Sequence, residues 1–170
     1  MGIILQGKVK NAELIGTWHR ELGYTPHANV FRGFNLVDNQ DIQRYKLLST
    51  DTHDLENPVI LHQIRKEFFW LENIRVAASL MRPGMILPLH SDRYEFYRQN
   101  HGVDQIDDCV RTIVFLEAWA PGHLLLIDNM QLSDWAAGDW ICWQGDTVHM
   151  AANLGHQDRY TLQITGTLKR

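Results

Sequence analysis

Three side chains in the second half of the sequence have the types and spacing of metal ligands. His90 and Asp92 are two residues apart in one apolar segment, and His149 begins another. Residues two apart in a β-strand point to the same face, so one strand can present the imidazole and the carboxylate together. Two imidazoles and one carboxylate suit Fe(II) and leave coordination positions open. Because a lone His-x-Asp is also common in turns, the prediction of a metal centre depends on the rest of the sequence.

A second feature is a cationic side chain in an apolar segment. Arg159 follows His149 by ten residues and precedes the apolar residues 160–167. Burying an unpaired guanidinium is costly, so Arg159 needs an anionic partner. A carboxylate held by Arg159, with the hydroxyl of Thr161 on the same face of the strand, meets that need. The alternative is a salt bridge from Arg159 to a neighbouring acid such as Asp158.

The segments that must position these side chains are short and apolar, and Gly, Pro and Asp separate them. They predict strands over 74–81, 85–90, 112–117, 123–127, 139–143, 149–152 and 160–167. Many short strands at close spacing are typical of an antiparallel sandwich or barrel. We therefore predict a mainly β fold with flanking N-terminal helices.

The first third of the chain has a different pattern. Asn11 is placed to cap a helix that runs to Leu22, residues 24–56 are polar and are predicted to wrap the surface, and Asn57-Pro58 is a helix start. Apolar residues at 59, 61, 64, 68 and 71 give that helix one apolar face. We predict a single domain over 1–170, in which residues 1–71 pack on a β core formed by 72–170.

Composition narrows the classes of partner. The chain has 170 residues, of which 45% are hydrophobic and 21% charged, and its net charge is −4. An acidic balance argues against electrostatic binding of nucleic acid or an anionic membrane. No apolar stretch approaches the roughly 18 residues of a membrane span, and no signal peptide is recognisable, so a cytoplasmic location is expected. Cys109 and Cys142 are expected to be reduced.

The order His90-x-Asp92, His149, Arg159 and Thr161 resembles the 2-oxoglutarate/Fe(II)-dependent dioxygenase superfamily. The resemblance is greatest to the aspartyl/asparaginyl β-hydroxylase-like branch. The matching stretches are 80–90, 135–149, Asn153 and 159–165, within a region of similarity that covers roughly residues 74–168.

This resemblance implies a double-stranded β-helix, or jelly roll, that hydroxylates an amino-acid side chain, a peptide or a small metabolite. It implies an Fe(II) site formed by His90, Asp92 and His149. It also implies that 2-oxoglutarate, the co-substrate, is bound by Arg159, Thr161 and Arg111, of which Arg159 would hold the distal carboxylate. The oligomeric state is left open.

The sequence differs from the β-hydroxylase-like branch at two positions, and it also resembles a second family. Ile113 stands where the branch has a histidine, and Asp92 is present where many members have glycine. The spacing of Gly84 and Gly138 from the two histidines is similar to the cupin motifs, although cupins usually have a second histidine in place of Asp92. The alternatives are therefore a cupin-type metalloenzyme that does not use 2-oxoglutarate and a metal-free jelly-roll binding module.

Several other residues carry expectations. Trp140 and Trp143 are predicted to face opposite sides of one strand. Asp146 is expected either to cap the turn before His149 or to bond to the His149 ring. Solvated positions are predicted for three histidines, His101, His123 and His156. Residues 93–105, which carry Tyr97, are expected to form a mobile cover at the substrate entrance.

Overall fold

The computed structural model describes residues 4–26, 34–36 and 50–169. These residues form strands with the following bounds: β1 Ile4–Lys8, β2 Thr25–Pro26, β3 Phe34–Leu36, β4 Asp51–Asp54, β5 Leu71–Met81, β6 Ile86–Asp92, β7 Cys109–Phe115, β8 His123–Ile127, β9 Met130–Leu132, β10 Asp139–Gln144, β11 His149–Asn153 and β12 Arg159–Leu168. Two α-helices accompany them, α1 Pro58–Glu67 and α2 Glu95–His101. Short 3-10 turns cover Ala12–Ile15, Thr17–Glu21 and Ile106–Asp108.

The strands form two antiparallel sheets. The larger sheet has the order β1-β10-β7-β12-β5-β4-β2, and the smaller has the order β3-β6-β11-β8-β9. Apolar side chains from the inner faces of both sheets pack into one cluster that includes Phe115 and Ile141 from the larger sheet and Leu125 and Ile127 from the smaller. The two sheets therefore stack face to face as a jelly roll, which confirms the predicted fold class.

Strand alternation separates two faces of the larger sheet. On β12, Leu162 and Ile164 point outward into a cluster with Ile64 and Phe68 of the α1 region. The intervening residues Arg159, Thr161, Gln163 and Thr165 point inward and line a cavity between the sheets. One face of β12 thus secures the helix, and the other face carries the polar groups of the site.

The helix and its predicted start at Asn57-Pro58 are confirmed, but the helix ends at Glu67, so the prediction that Leu71 belongs to its apolar face is wrong and Leu71 begins β5. The Asn57 side chain accepts hydrogen bonds from the backbone N–H groups of Val59 and Ile60, and Pro58 occupies the first turn. The buried positions are Ile60 and Ile64, whereas Val59 is exposed. No described helix is long and apolar enough to cross a membrane.

The N-terminal part differs from the expected helix-and-loop layer. The segment after Asn11 forms two 3-10 turns instead of one helix, because Gly16 between them has an extended backbone. Strands β1, β3 and β4 pair with β10, β6 and β5, so the first third of the chain extends both sheets. Most of the predicted surface segment 24–56 lies outside the described residues.

Candidate metal centre

The three predicted metal ligands meet on two neighbouring strands of the smaller sheet. His149 on β11 is the direct register partner of His90 on β6. Asp92 follows His90 by two residues and shares its face. All three side chains are buried, and one ligand atom from each lies within 4.8 Å of the others. The predicted juxtaposition of His90, Asp92 and His149 is therefore present.

The backbone fixes which nitrogen of each imidazole is available for coordination. His90 Nδ1 lies 2.6 Å from the carbonyl oxygen of Pro88, and His149 Nδ1 lies 2.9 Å from that of Thr147. A carbonyl only accepts hydrogen bonds, so each Nδ1 must carry the proton and each Nε2 the lone pair. Such outer hydrogen bonds are typical of metal-binding histidines.

The expected contact of Asp146 with the His149 ring is absent, because the Thr147 carbonyl takes that place and Asp146 is exposed. Whereas a carboxylate partner would favour the protonated, cationic imidazole, the carbonyl orients the ring without adding charge.

Burial and charge keep the donors in the forms that bind metals. Burial lowers the pKa of His149 to about 4 and also lowers the pKa of His90, although the nearby Asp92 carboxylate opposes both shifts. Burial raises the pKa of Asp92, but the charge and hydrogen bonds of Arg111, together with the nearby imidazoles of His149 and His90, outweigh it and hold that pKa well below the usual range. Two neutral imidazoles and one carboxylate are therefore present at neutral pH.

Arg111 lies on β7 of the larger sheet and reaches across to Asp92. Its Nε and Nη2 donate to Asp92 Oδ2 at 3.0 and 2.7 Å, and its Nη1 donates to Thr165 Oγ1 at 2.8 Å. The sequence resemblance implied a co-substrate contact for Arg111. The structure shows it bound to a predicted metal ligand, at the wall of the same cavity.

Arg159 is a buried cation without an anion. Among the described residues no carboxylate forms an ion pair with it, and Asp158 instead accepts a hydrogen bond from Tyr160. Arg159 Nη1 donates to the Leu124 carbonyl at 3.2 Å, and Nε has no partner. Burial lowers the pKa of Arg159 to about 10, which still leaves it protonated at neutral pH. The salt-bridge alternative is therefore wrong within the described part of the chain.

Two stacked aromatic rings support this guanidinium. Its carbon lies 5.4 Å from the centre of the Trp135 ring and 5.9 Å from that of Phe115. The two rings stack on each other at 4.1 Å. A cation over aromatic faces is stabilised without neutralisation of its charge. The position of Trp135 against Arg159 was not predicted from the sequence.

One cavity connects the cation to the cluster of ligands. Its volume is about 520 Å³, and residues of both sheets line it. Arg159 and Thr161 lie on its wall, as do all three members of the His-Asp-His cluster. This volume is in the range of small-molecule sites, which are concave and contain a few polar groups that fix orientation.

The segment that follows Asp92 contains secondary structure and buried side chains that the sequence did not indicate. Tyr94 has a left-handed backbone with φ of 53°, and burial and the nearby Asp92 carboxylate raise the pKa of its hydroxyl. Tyr97 on α2 is buried and donates from its hydroxyl to the Asn73 carbonyl at 3.0 Å. The expected polar cover is therefore in part a short helix anchored by two buried tyrosines.

Other expectations have mixed outcomes. Trp143 lies in the cavity wall 4.8 Å from the His149 ring, while Trp140 packs on Phe68, so their predicted opposition is confirmed. His101 and His156 are exposed as expected. The prediction for His123 is wrong: its ring is buried and its Nε2 lies 3.0 Å from the Gln157 carbonyl. Both cysteines are free and buried.

Comparisons with known proteins support this architecture. No protein-family profile matches the sequence, and a search of curated protein sequences also finds no match. Among solved structures, a Pseudomonas putida prolyl-4-hydroxylase is similar, with a TM-score of 0.59, 16% identity, and coverage of 98% of this chain and 93% of that one. The non-heme alpha ketoglutarate dependent epimerase SnoN from nogalamycin biosynthesis is also similar, with a TM-score of 0.57, 10% identity, and coverage of 95% and 76%.

At these identities the likeness establishes the fold. The chain is a double-stranded β-helix protein that carries a buried His-Asp-His cluster of metal-ligand type. A second polar group, Arg159, lies in the same cavity and forms no ion pair with a carboxylate of the described residues.

Proposed function

We propose that the protein is a non-haem Fe(II)- and 2-oxoglutarate-dependent oxygenase that hydroxylates an amino-acid side chain, a peptide or a small metabolite. The observation that carries this proposal is Arg159. It is a buried cation that has no anionic partner in the part of the chain that the structure describes, and it shares a cavity with two histidines and an aspartate that suit Fe(II). The names of the two similar structures, a prolyl-4-hydroxylase and an alpha ketoglutarate dependent epimerase, agree with this chemistry.

The donor set fits iron. His90, His149 and Asp92 would hold the ion through two Nε2 atoms and a carboxylate oxygen, and this set leaves positions open for further ligands. When bound, iron would supply the oxidising chemistry together with 2-oxoglutarate and O₂: one oxygen atom of O₂ would enter the succinate that is formed with CO₂ from the keto acid, and the other would enter the substrate as a hydroxyl group.

The protein's own residues bind and orient the dicarboxylate. Arg159 supplies a charge-assisted hydrogen bond to the distal carboxylate. Thr161 lies on the same inward face of β12 and adds a hydroxyl. Because Arg159 stands on Trp135 and Phe115, the guanidinium keeps one orientation whether or not the anion is present. A preorganised donor reduces the entropy cost of binding.

The site also limits access of water. Trp143 covers one side of the His149 ring, and Leu125, Ile113 and Met81 are apolar parts of the cavity wall. A dry cavity strengthens the electrostatic contact between Arg159 and a carboxylate. It also protects a reactive site from side reactions with solvent.

An anaerobic titration tests the proposal. Apoprotein is loaded with Fe(II) and then titrated with 2-oxoglutarate, and the weak visible charge-transfer band of the chelate is recorded. In the wild type, we expect the band to saturate when one 2-oxoglutarate has been added per bound iron. In Arg159→Met, saturation should need far more 2-oxoglutarate. Succinate release under air then confirms turnover.

The titration also separates the alternatives. Iron binding without the band, together with no succinate release, would indicate a cupin-type metalloenzyme that does not use 2-oxoglutarate. A protein that binds no iron at all would be a metal-free jelly-roll binding module. Either result would overturn the proposed function.

A further inference from the structure

The two oxygens of Asp92 have different surroundings. Oδ1 lies 3.9 Å from Nε2 of His90 and faces the cluster of ligands. Oδ2 accepts two hydrogen bonds from Arg111, from Nε at 3.0 Å and from Nη2 at 2.7 Å. Both residues are largely buried, so water competes little with this contact. One carboxylate oxygen is therefore committed to the protein, and the other is directed towards the metal position.

Arg111 is itself held in place. Its Nη1 donates to Thr165 Oγ1 at 2.8 Å, and Thr165 is its register partner on β12. The guanidinium carbon lies 5.5 Å from the centre of the Tyr94 ring. Asp92 belongs to the smaller sheet and Arg111 to the larger, so this ion pair links the two walls of the cavity. Each of the three guanidinium nitrogens already has a protein acceptor.

We propose that Arg111 is a positioning residue, which occupies Oδ2 of Asp92 so that a metal ion in the cluster receives one carboxylate oxygen instead of two. Carboxylates bind metal ions through either one or two oxygens, and the second mode would use a coordination position. A chelating keto acid and O₂ together need every position that two histidines and one oxygen leave open. This inference rests on the proposed function, because only that function requires open coordination positions. The geometry of the Asp92 carboxylate itself does not depend on the co-substrate.

The proposal differs from the co-substrate contact that the resemblance implied for Arg111. In that case Arg111 would act directly on 2-oxoglutarate, and its removal would leave the metal's own ligands unchanged. A positioning residue acts through Asp92, so its effect must be visible on the metal before any co-substrate is added. Its effect must also disappear when Asp92 is absent.

The experiment uses Co(II) as the metal probe, since its visible absorption depends on the number and arrangement of ligands. Spectra of the full-length protein are recorded anaerobically without co-substrate for the wild type, Arg111→Met, Arg111→Lys and Thr165→Val. Titration of the Fe(II)-loaded variants with 2-oxoglutarate follows. The matched control is Arg20→Met, because Arg20 also contacts one carboxylate oxygen, that of Glu117, through Nε and Nη2, and it is not among the residues that line the cavity.

We expect Arg111→Met to change the Co(II) spectrum and to weaken the 2-oxoglutarate chelate by about 10- to 100-fold, the range found for residues that orient metal ligands. Arg111→Lys should recover only part of this loss, because an ammonium cannot make the bidentate contact. Thr165→Val should change the Co(II) spectrum in the same direction as Arg111→Met. It should weaken the binding of 2-oxoglutarate by about 2- to 10-fold, as expected for one lost hydrogen bond. Arg20→Met should change neither readout.

The double variant decides between the two interpretations. In an Asp92→Ala background, at metal concentrations that saturate each protein, Arg111→Met should cause no further loss of 2-oxoglutarate affinity. Two results would overturn the proposal and favour a direct co-substrate contact. One is an unchanged Co(II) spectrum in Arg111→Met, and the other is a loss of 2-oxoglutarate affinity in the double variant that is as large as the loss caused by Arg111→Met alone. If Arg111→Met does not fold, the lysine and Thr165→Val variants give the same decision. The two proposals can fail separately. If Arg111→Met changes the Co(II) spectrum as expected but the wild type shows no band with 2-oxoglutarate, the proposed function is overturned and the positioning role of Arg111 towards Asp92 is supported.

Discussion

The imidazoles of His90 and His149 face each other across two adjacent antiparallel strands, with ring centres 4.3 Å apart. The two residues are direct register partners, and the pairing of β6 and β11 shifts immediately after them. A slip of one residue between the strands would move one imidazole to the opposite face of the sheet. The register of a single strand pair therefore determines whether the cluster exists.

The first prediction concerns this cluster. His90→Ala and His149→Ala should each abolish iron binding after anaerobic reconstitution, and Asp92→Ala should weaken it, because the imidazoles are the stronger donors. Iron is measured by its stoichiometry after removal of unbound metal. His156→Ala is the control, because His156 is exposed and does not belong to the cluster of ligands. Full iron content in both histidine variants would show that the metal is held elsewhere.

The second prediction compares two residues on the inward face of β12. Arg159→Ala should reduce affinity for 2-oxoglutarate by well over tenfold, because loss of a charge-assisted pair to a buried partner costs about 2–5 kcal/mol. Thr161→Val should cost on the order of 1 kcal/mol, because it removes one neutral hydrogen bond. Succinate release is measured against 2-oxoglutarate concentration, with iron content as the control. An unchanged concentration dependence in Arg159→Ala would contradict the assignment.

A third prediction concerns two glycines with similar backbone angles and different surroundings. Gly122 has φ of +95°, and an added Cβ would lie 2.2 Å from the backbone nitrogen of Gly155. Gly84 has φ of +87° and nothing within 4 Å of such an atom. Gly84→Ala should therefore cost about 1–2 kcal/mol of unfolding free energy, and Gly122→Ala about 2–5 kcal/mol. Urea denaturation of both variants measures the difference, and equal losses would refute the steric argument.

The fourth prediction concerns the two thiols. Burial raises the pKa of both Cys109 and Cys142 to about 11. At pH 8 neither should react with a disulfide reagent in the folded protein, whereas both should react rapidly in urea. Because the folded-state pKa exceeds the unfolded one, this contribution to stability is complete below pH of about 9 and is lost as the pH rises towards 11. Rapid labelling of a native thiol at pH 8 would show that its burial is only transient.

The strands that carry the site were predictable because their signals are local. Alternation along β12 placed Arg159 and Thr161 on one face, and the apolar run 123–127 gave the bounds of β8. The His90-x-Asp92 pair depends only on strand geometry. By contrast, β1 has no distinctive pattern of its own, and it forms a strand because it pairs with β10.

The contacts between the sheets were not predictable from sequence. Asp92 and Arg111 lie on different sheets, and only the stacking of those sheets brings their side chains together. His123 was expected in solvent because it follows the loop residues Pro121 and Gly122, but the distant Gln157 carbonyl and the Trp135 ring enclose it. One signal was available for Arg111: a charged residue within the apolar segment 109–115 needs an oppositely charged partner.

The stack of Arg159 on Trp135 has an optical consequence. The emission of an indole shifts with the electric field across its ring, and the guanidinium charge lies 5.4 Å from the centre of this one. An anion that binds Arg159 would partly cancel that field, so arrival of a dicarboxylate should alter the intrinsic fluorescence of Trp135. Trp135→Phe would remove this signal while an aromatic face remains beneath the cation. The protein therefore contains its own spectroscopic reporter of the step that precedes any chemistry.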